Sequence, residues 1–356
     1  MAAFQTKQKF IFTVKPCAGF RVEHIGKVYP SRPHTGYKGS AILIRTEIAV
    51  FHAVLDFDAC INDGNKADQY RQPPCDAVYS NQINRFRRKI MVGENNKVVI
   101  VTGGSSGIGR CTASALKENG CIVYEFSRRN IPMEGVPHLS VDVTDEDAVN
   151  AAVQQIIQKE TKIDAVINCA GFGISGAVEF TSMEQAKAQF DVNFFGTVTV
   201  NKAVLPFLRR QGKGHIVNIS SVAAVAHIPF QTFYSASKAA VSSYSYALAN
   251  EVNPYGIHVA VVELGDICTG FTKARQKSIL GDDEYGGRIS RSVSQMEHDE
   301  QNGMDPARIG RYIAGIVEKK KPAVVYVAGA QYKFLSLLCK LLPAAARGKI
   351  VGKIYG

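Results

Sequence analysis

Beyond about residue 90 the apolar positions fall into a regular alternation of short β-branched runs and stretches whose apolar residues recur three and four apart. That is the pattern of a parallel sheet, its strands buried on both faces and joined by crossover helices. Lys97 to Val101 predicts a buried strand, Ile108 to Asn119 a helix stopped by Gly120, and Cys121 to Phe126 the next strand. A third strand precedes Asp142, and Thr144 is expected to cap a helix in which Val149, Val153, Ile156 and Ile157 share a face. Then come strand Ala165 to Asn168, a helix into Val192, strand His215 to Ser220, a long helix from Thr232 to Val252 and strand His258 to Val262. Asp305-Pro306 reads as an N-cap followed by proline at the first helical position, and Ala323 to Val327 as a last strand. Seven strands with intervening helices predict an α/β fold, a Rossmann-type doubly wound parallel sheet in a single domain over residues 91–330.

Three stretches depart from this rhythm. Residues 1–90 show no sustained period and carry Pro30-Ser31-Arg32-Pro33 and Arg71-Gln72-Pro73-Pro74 between short apolar runs, which predicts a poorly structured N-terminal extension. Met91, the first methionine after Met1, stands at the change of pattern, so the functional chain is expected to be able to start there, the preceding residues being a misassigned or dispensable leader. Asp266 to Met304 has few strong elements and is longer than a compact connection needs, as a lid over a bulky substrate would be. Residues 331–356 read as an amphipathic tail in which Phe334, Leu338, Leu341 and Leu342 share a helix face. That face suits closure of an apolar pocket or packing on the body or a second subunit; membrane-surface contact through Lys333, Lys340 and Arg347 is the less favoured reading.

Composition narrows the class. With 46% hydrophobic and 21% charged residues the chain is neither disordered nor fibrous. Its net charge of +11 suggests an anionic partner until it is divided: residues 1–90 hold 14 basic and 7 acidic side chains, leaving +4 on the rest. The cluster Arg85, Arg87, Arg88 and Lys89 reads as a solvated linker, so no nucleic-acid partner is expected. Eight cysteines without a C-x-x-C pair suggest neither a metal site nor a disulfide framework, and fit reduced thiols in the cytoplasm. No run of 18 apolar residues occurs, and Phe10 to Val14 is too short for a secretory signal.

Three features carry chemistry. After the first strand comes Thr102-Gly103-Gly104-Ser105-Ser106-Gly107-Ile108-Gly109, whose glycines let the backbone turn sharply and approach a pyrophosphate seated on the following helix N-terminus. The second strand ends in Ser127-Arg128-Arg129, where an NAD site would place a carboxylate for the adenosine ribose. A guanidinium suits a 2′-phosphate, which favours NADP(H), although Glu125 is close in sequence. Tyr234 and Lys238 are four apart in a predicted helix, which puts the ammonium near the phenol and is expected to lower its pKa toward neutrality.

Ser221 lies 13 residues before Tyr234, and Asn193 sits in Asp191-Val192-Asn193-Phe194-Phe195-Gly196. With the glycine-rich loop, the turn Asn168-Cys169-Ala170-Gly171, the strand end at Ser221 and Tyr234-Ser235-Ala236-Ser237-Lys238, these stand in the order and spacing of one family. Over residues 97 to about 330 the chain resembles the short-chain dehydrogenase/reductases. The resemblance implies a tetrad: Tyr234 exchanging a proton with the carbinol oxygen, Ser221 hydrogen-bonding that oxygen, Lys238 on the nicotinamide ribose, and Asn193 holding a water. It implies cofactor contacts from Gly103, Ser105, Ser106, Gly107, Ile108, Gly109, Ser127, Arg128, Asp142, Val143, Asn168, Ala170, Gly171, Tyr234, Lys238, Gly265, Ile267 and Thr269. Two positions depart from the family, Leu264 where proline is usual and Cys169 where a second asparagine is; both keep the neighbouring glycine.

The Ser-Arg-Arg strand end, the lid and the tail are similar to the hydroxysteroid-dehydrogenase-like branch. NADP(H)-dependent interconversion of a secondary alcohol and ketone on a small lipophilic, steroid-like substrate is therefore expected. The alternatives are a 3-oxoacyl reductase and a catalytically idle NADP-binding regulator. The family resemblance also implies a homodimer or homotetramer through the helices carrying Asn193 and Tyr234.

Overall fold

All five residues of β1, Val98–Thr102, are buried, as an unbroken β-branched run must be when helices cover both faces of its sheet. The computed structural model describes residues 97–356; the expected N-terminal extension, the start at Met91 and the basic cluster at 85–89 lie outside the described residues. From β1 the chain runs through α1 (Gly107–Glu118), β2 (Ile122–Ser127), β3 (His138–Ser140), α2 (Glu146–Glu160) and β4 (Ala165–Asn168). A two-residue β5 (Ile174–Ser175) follows, then α3 (Met183–Phe190), a π-turn over Asp191–Phe195, α4 (Gly196–Gln211), β6 (Gly214–Ser221), α5 (Ala223–Ala226), α6 (Thr232–Val252) and β7 (Ile257–Leu264). The last part contains α7 (Phe271–Ala274), β8 (Gln276–Lys277), α8 (Arg288–Gln301), α9 (Pro306–Val317), β9 (Val325–Val327), α10 (Ala330–Leu341) and α11 (Ala344–Tyr355).

Seven strands form one parallel sheet in the order β3-β2-β1-β4-β6-β7-β9, the doubly wound topology expected. The order reverses between β1 and β4, and there the C-terminal strand ends open a crevice. Alternation along β1 divides the core. Val98 and Ile100 join α2, α4 and α6 on one face, and Val99 and Val101 join α1 and α9 on the other. On that second face α9 lies so close to α1 that a Cβ on Gly310 would be 2.5 Å from the Cys111 carbonyl carbon.

Four local expectations are corrected. Asp145, not Thr144, caps α2: it accepts from the Ala148 amide at 3.0 Å, while Thr144 turns back to Asp142 with its amide and hydroxyl. The helix expected to end at Val192 instead passes through the π-turn into α4. The stretch 266–304 is ordered, because Ile289, Val293 and Met296 recur along α8 and are buried. Its ends are stitched by Met304 donating to the Asp266 carbonyl at 2.9 Å and Cys268 donating to that of Met304 at 3.1 Å. The tail is two helices divided at Pro343, and the apolar face foreseen on it splits: Phe334 and Leu341 are 69% and 73% exposed, Leu338 and Leu342 half-buried. A polar anchor turns α10 the other way. Glu263, fully buried on β7, accepts from Ser336 at 2.8 Å, from Lys340 at 3.1 Å and from Tyr246 at 3.1 Å, so Tyr332, Ser336 and Cys339 face inward.

Candidate active site

The crevice is built from loops that hold one another. The Thr102 hydroxyl accepts from the Ala170 amide at 3.0 Å, tying the end of β1 to the turn after β4. Gly103 has φ +67°, and a Cβ there would lie 2.9 Å from the Ala170 backbone. On Gly109 a Cβ would meet the Gly103 carbonyl oxygen at 2.4 Å. Ser106, at the N-cap of α1, makes no side-chain cap, and the first turn carries no acidic residue. The free amide groups and positive end of α1 are therefore left to an anion lying across Ser105, Ser106, Gly107 and Ile108, a fit to a pyrophosphate.

At the end of β2, Arg128 lies 3.8 Å from an Asp142 oxygen, both groups solvent-facing, a weak pair that leaves the guanidinium able to swing. Arg129, absent from the expected contacts, donates to the Ser106 hydroxyl at 3.1 Å and so leans over the glycine-rich loop. Its signal was present in the sequence as the second arginine of the pair. Glu125 does not compete for a ribose: it is buried against His138, and Gly104 sits on it. Val143 is buried beneath Gly196, and Ser127 donates to the Arg129 carbonyl at 3.0 Å. Asn168 commits its amide to Asn201 and Asn218, each at 2.8 Å, in a buried network below the crevice. Gly171 borders Asn193 and Lys238; Thr269 approaches Gly107; the Tyr332 ring covers Gly265; and Ile267 is buried, bridged to Met304.

The four tetrad residues converge. Ser221 ends β6 and its hydroxyl accepts from the Ala223 amide at 3.1 Å. Tyr234, in the first turn of α6, has that hydroxyl as a hydrogen-bonding neighbour. Lys238, one turn on, is buried and donates to the Ile219 carbonyl at 2.9 Å, its Nζ 5.9 Å from the Tyr234 ring centroid. Asn193 occupies the π-turn with both amide hydrogens used, on the Phe172 carbonyl at 3.0 Å and the Ser237 hydroxyl at 3.1 Å. Its Oδ1 accepts from the Phe172 amide at 3.0 Å. Ser237 in turn donates to the Tyr234 carbonyl at 2.8 Å, so Asn193 ties the start of α6 to the loop after β4.

The expected lowering of the Tyr234 pKa is not what this environment produces. Burial pushes the phenol up to about 12; the Ser221 hydroxyl pulls it down, Glu300 and Asp266 push up and Arg275 pulls down. Burial also brings Lys238 down to about 8 and pushes the Cys169 thiol up to about 12. At neutral pH the site thus holds a protonated phenol above a charged amine, with the nearby thiol neutral. From the stretch 266–304 the Phe271 ring reaches 5.8 Å from that of Tyr234, and buried Arg275 pairs with Glu300 behind it, partners that no local pattern announced.

A paired phenol and lysine beside a strand-end serine, with a phosphate seat at the switch point of a doubly wound sheet, define a nicotinamide-nucleotide oxidoreductase. The sequence profile of the short chain dehydrogenases matches residues 97–279, and the chain belongs to the short-chain dehydrogenase/reductase family, whose members use NAD(P)(H) and act on CH-OH groups. Among curated relatives, a 3-ketodihydrosphingosine reductase from Bacteroides thetaiotaomicron is 45% identical over 231 residues, 64% of this chain and 85% of that one. A probable short-chain type dehydrogenase/reductase from Helicobacter pylori is 31% identical over 254 residues, covering 70% and 94%. A short-chain dehydrogenase structure from Streptomyces avermitilis superposes with a TM-score of 0.63 at 27% identity, covering 73% of this chain and 98% of that one.

Proposed function

We propose that this chain reduces the ketone of a long-chain, sphingoid-type lipid to a secondary alcohol with NADPH. One observation carries the chemistry: Tyr234, Ser221 and Lys238 meet at the C-terminal end of β6 with the phenol held protonated. A phenol with a pKa of about 12 is a proton donor at neutral pH, which suits reduction. Tyr234 gives its proton to the carbonyl oxygen, Ser221 donates a hydrogen bond to the same oxygen, and the Lys238 ammonium stabilises the phenolate that forms. Asn193 positions the start of the Tyr234 helix. The nucleotide, when bound, supplies the hydride.

The residues able to hold its phosphates and ribose are the Gly103 to Gly109 loop, Ser127 and Arg128, joined by Arg129; two guanidinium groups at the end of β2, with Glu125 buried against His138, support the phosphorylated cofactor. The 45% identical relative supports the lipid class, ahead of the steroid-like substrate that the lid and tail suggested. A dimer or tetramer through the Asn193 and Tyr234 helices in the cytoplasm belongs to the same reading, supported by Phe195, exposed on that helix surface.

The test follows NADPH absorbance with 3-ketodihydrosphingosine, a ketosteroid and a carrier-linked 3-oxoacyl chain, with NADH in parallel. Turnover highest on the sphingoid ketone with NADPH is expected. Preference for the acyl ketone makes the chain an oxoacyl reductase, and tight NADPH binding without turnover of any of the three makes it a binding protein; either result overturns the proposal.

A further inference from the structure

The two C-terminal helices share one base. Leu335 and Cys339 of α10 and Val351 and Tyr355 of α11 pack with Val225 and Ala226 of α5, so both helices present their opposite sides outward. On α10 that outer side carries Phe334, Leu337 and Leu341 at i, i+3 and i+7; on α11 it carries Ile350 and Ile354, one turn apart, all five exposed. Lys333 borders the first stripe and Lys349 and Lys353 the second, while Lys340 stays paired with Glu263 beneath the helix. Residues 330–356 hold five basic side chains and not one acidic, whereas the whole chain has 42 against 31. Below α11 a cavity of about 280 Å³ is bordered by His227, Arg288 and Arg347 with no carboxylate, and burial together with the Arg347 charge lowers the His227 pKa.

We propose that α10 and α11 dock this enzyme on the surface of an anionic lipid bilayer, the apolar stripes entering the headgroup boundary and the lysines meeting lipid phosphates. The arrangement is that of an interfacial helix, with an apolar face bordered by cations. Among the described residues no helix is long and apolar enough to cross a membrane, so the pair lies on the surface. A second copy fits less well. A twofold contact would set this cationic face against itself, with like charges opposed across the interface. The docking also has a use for the site: Tyr332 of α10 donates to Asp266 at 2.8 Å and its ring covers Gly265, so the docked helix adjoins the end of β7 in the crevice.

Flotation of the full chain, without substrate, on vesicles of phosphatidylcholine alone and of phosphatidylcholine with about one-third phosphatidylglycerol tests this directly. Partition onto the anionic vesicles only, weakened by salt, is expected. Phe334→Ser with Leu341→Ser, and separately Lys349→Gln with Lys353→Gln, should each cut that partition about tenfold while the thermal midpoint moves by no more than about 2 °C. Absence of wild-type partition overturns the proposal. Equal partition of wild type and both double variants assigns binding to another surface and overturns it too. A fall in solution mass for Phe334→Ser with Leu341→Ser, read by light scattering, makes the face a subunit contact and does the same. None of these readings depends on which ketone is reduced.

Discussion

Replacing Lys238 by methionine should make the protein more stable and nearly inactive. Burial lowers the pKa of this amine from 10.5 to about 8. At about 1.4 kcal/mol for each tenfold change in proton affinity, holding the ammonium in the fold at pH 7 costs about 3 kcal/mol. Methionine fills similar volume without the charge but removes the donor to the Ile219 carbonyl, a loss of about 1 kcal/mol. The net gain of about 2 kcal/mol corresponds to a rise of about 4–8 °C in thermal midpoint. The sign with pH is fixed as well. Because the folded pKa lies below the unfolded one, the unfolded chain binds the extra proton between pH 8 and 10.5, and wild-type stability recovers across that window. The advantage of Lys238→Met should therefore be full at pH 7, shrink from pH 8 upward and vanish by about pH 10. Urea unfolding of both proteins at pH 7, 8.5 and 10 measures it, and NADPH oxidation should show turnover down by about 10²-fold or more. A variant no more stable than wild type at pH 7, or an advantage unchanged with pH, refutes the reasoning.

Other expectations concern single groups. Tyr234→Phe should lower turnover by about 10²-fold with NADPH binding nearly intact by fluorescence titration; retention of more than about a tenth of wild-type turnover removes Tyr234 from the proton-donor role. Arg128→Ala and Arg129→Ala should each weaken NADPH by about 1.5–3 kcal/mol and NADH far less, measured by calorimetry, and a wild type that uses NADH equally well defeats that assignment. Gly109→Ala drives a methyl into the Gly103 carbonyl at 2.4 Å and should weaken nucleotide binding by about tenfold or more; affinity within about twofold of wild type means the loop yields easily.

What the sequence discloses and what it hides divide on physical lines. Strands such as Ala165–Asn168, and α6 with its 232–252 bounds, are legible because β-branched runs and helical periods are properties of the chain itself. Tyr234, Ser221, Lys238 and Asn193 are legible because their spacing is chemical. Helix α8 is harder to see, its buried stripe of Ile289, Val293 and Met296 standing in an otherwise polar segment. The orientation of α10 is decided by Glu263, some seventy residues earlier in the chain, and no hydrophobic period can report a distant carboxylate. The same holds for the Tyr234 pKa: i, i+4 spacing brings the lysine near, but the direction of the shift is set first by burial, which belongs to the folded molecule.

Gly310 gives the order of synthesis a meaning. The helix that offers its N-terminus to the nucleotide is made early, but the helix lying backbone to backbone against it is among the last parts translated. A nascent or clipped chain that ends before Val317 can pair β1, β2 and β4 and still leave α1 without its support. Nucleotide affinity in this protein is thus expected to require α9, and a saturating nicotinamide nucleotide would preferentially protect from proteolysis those copies that carry it.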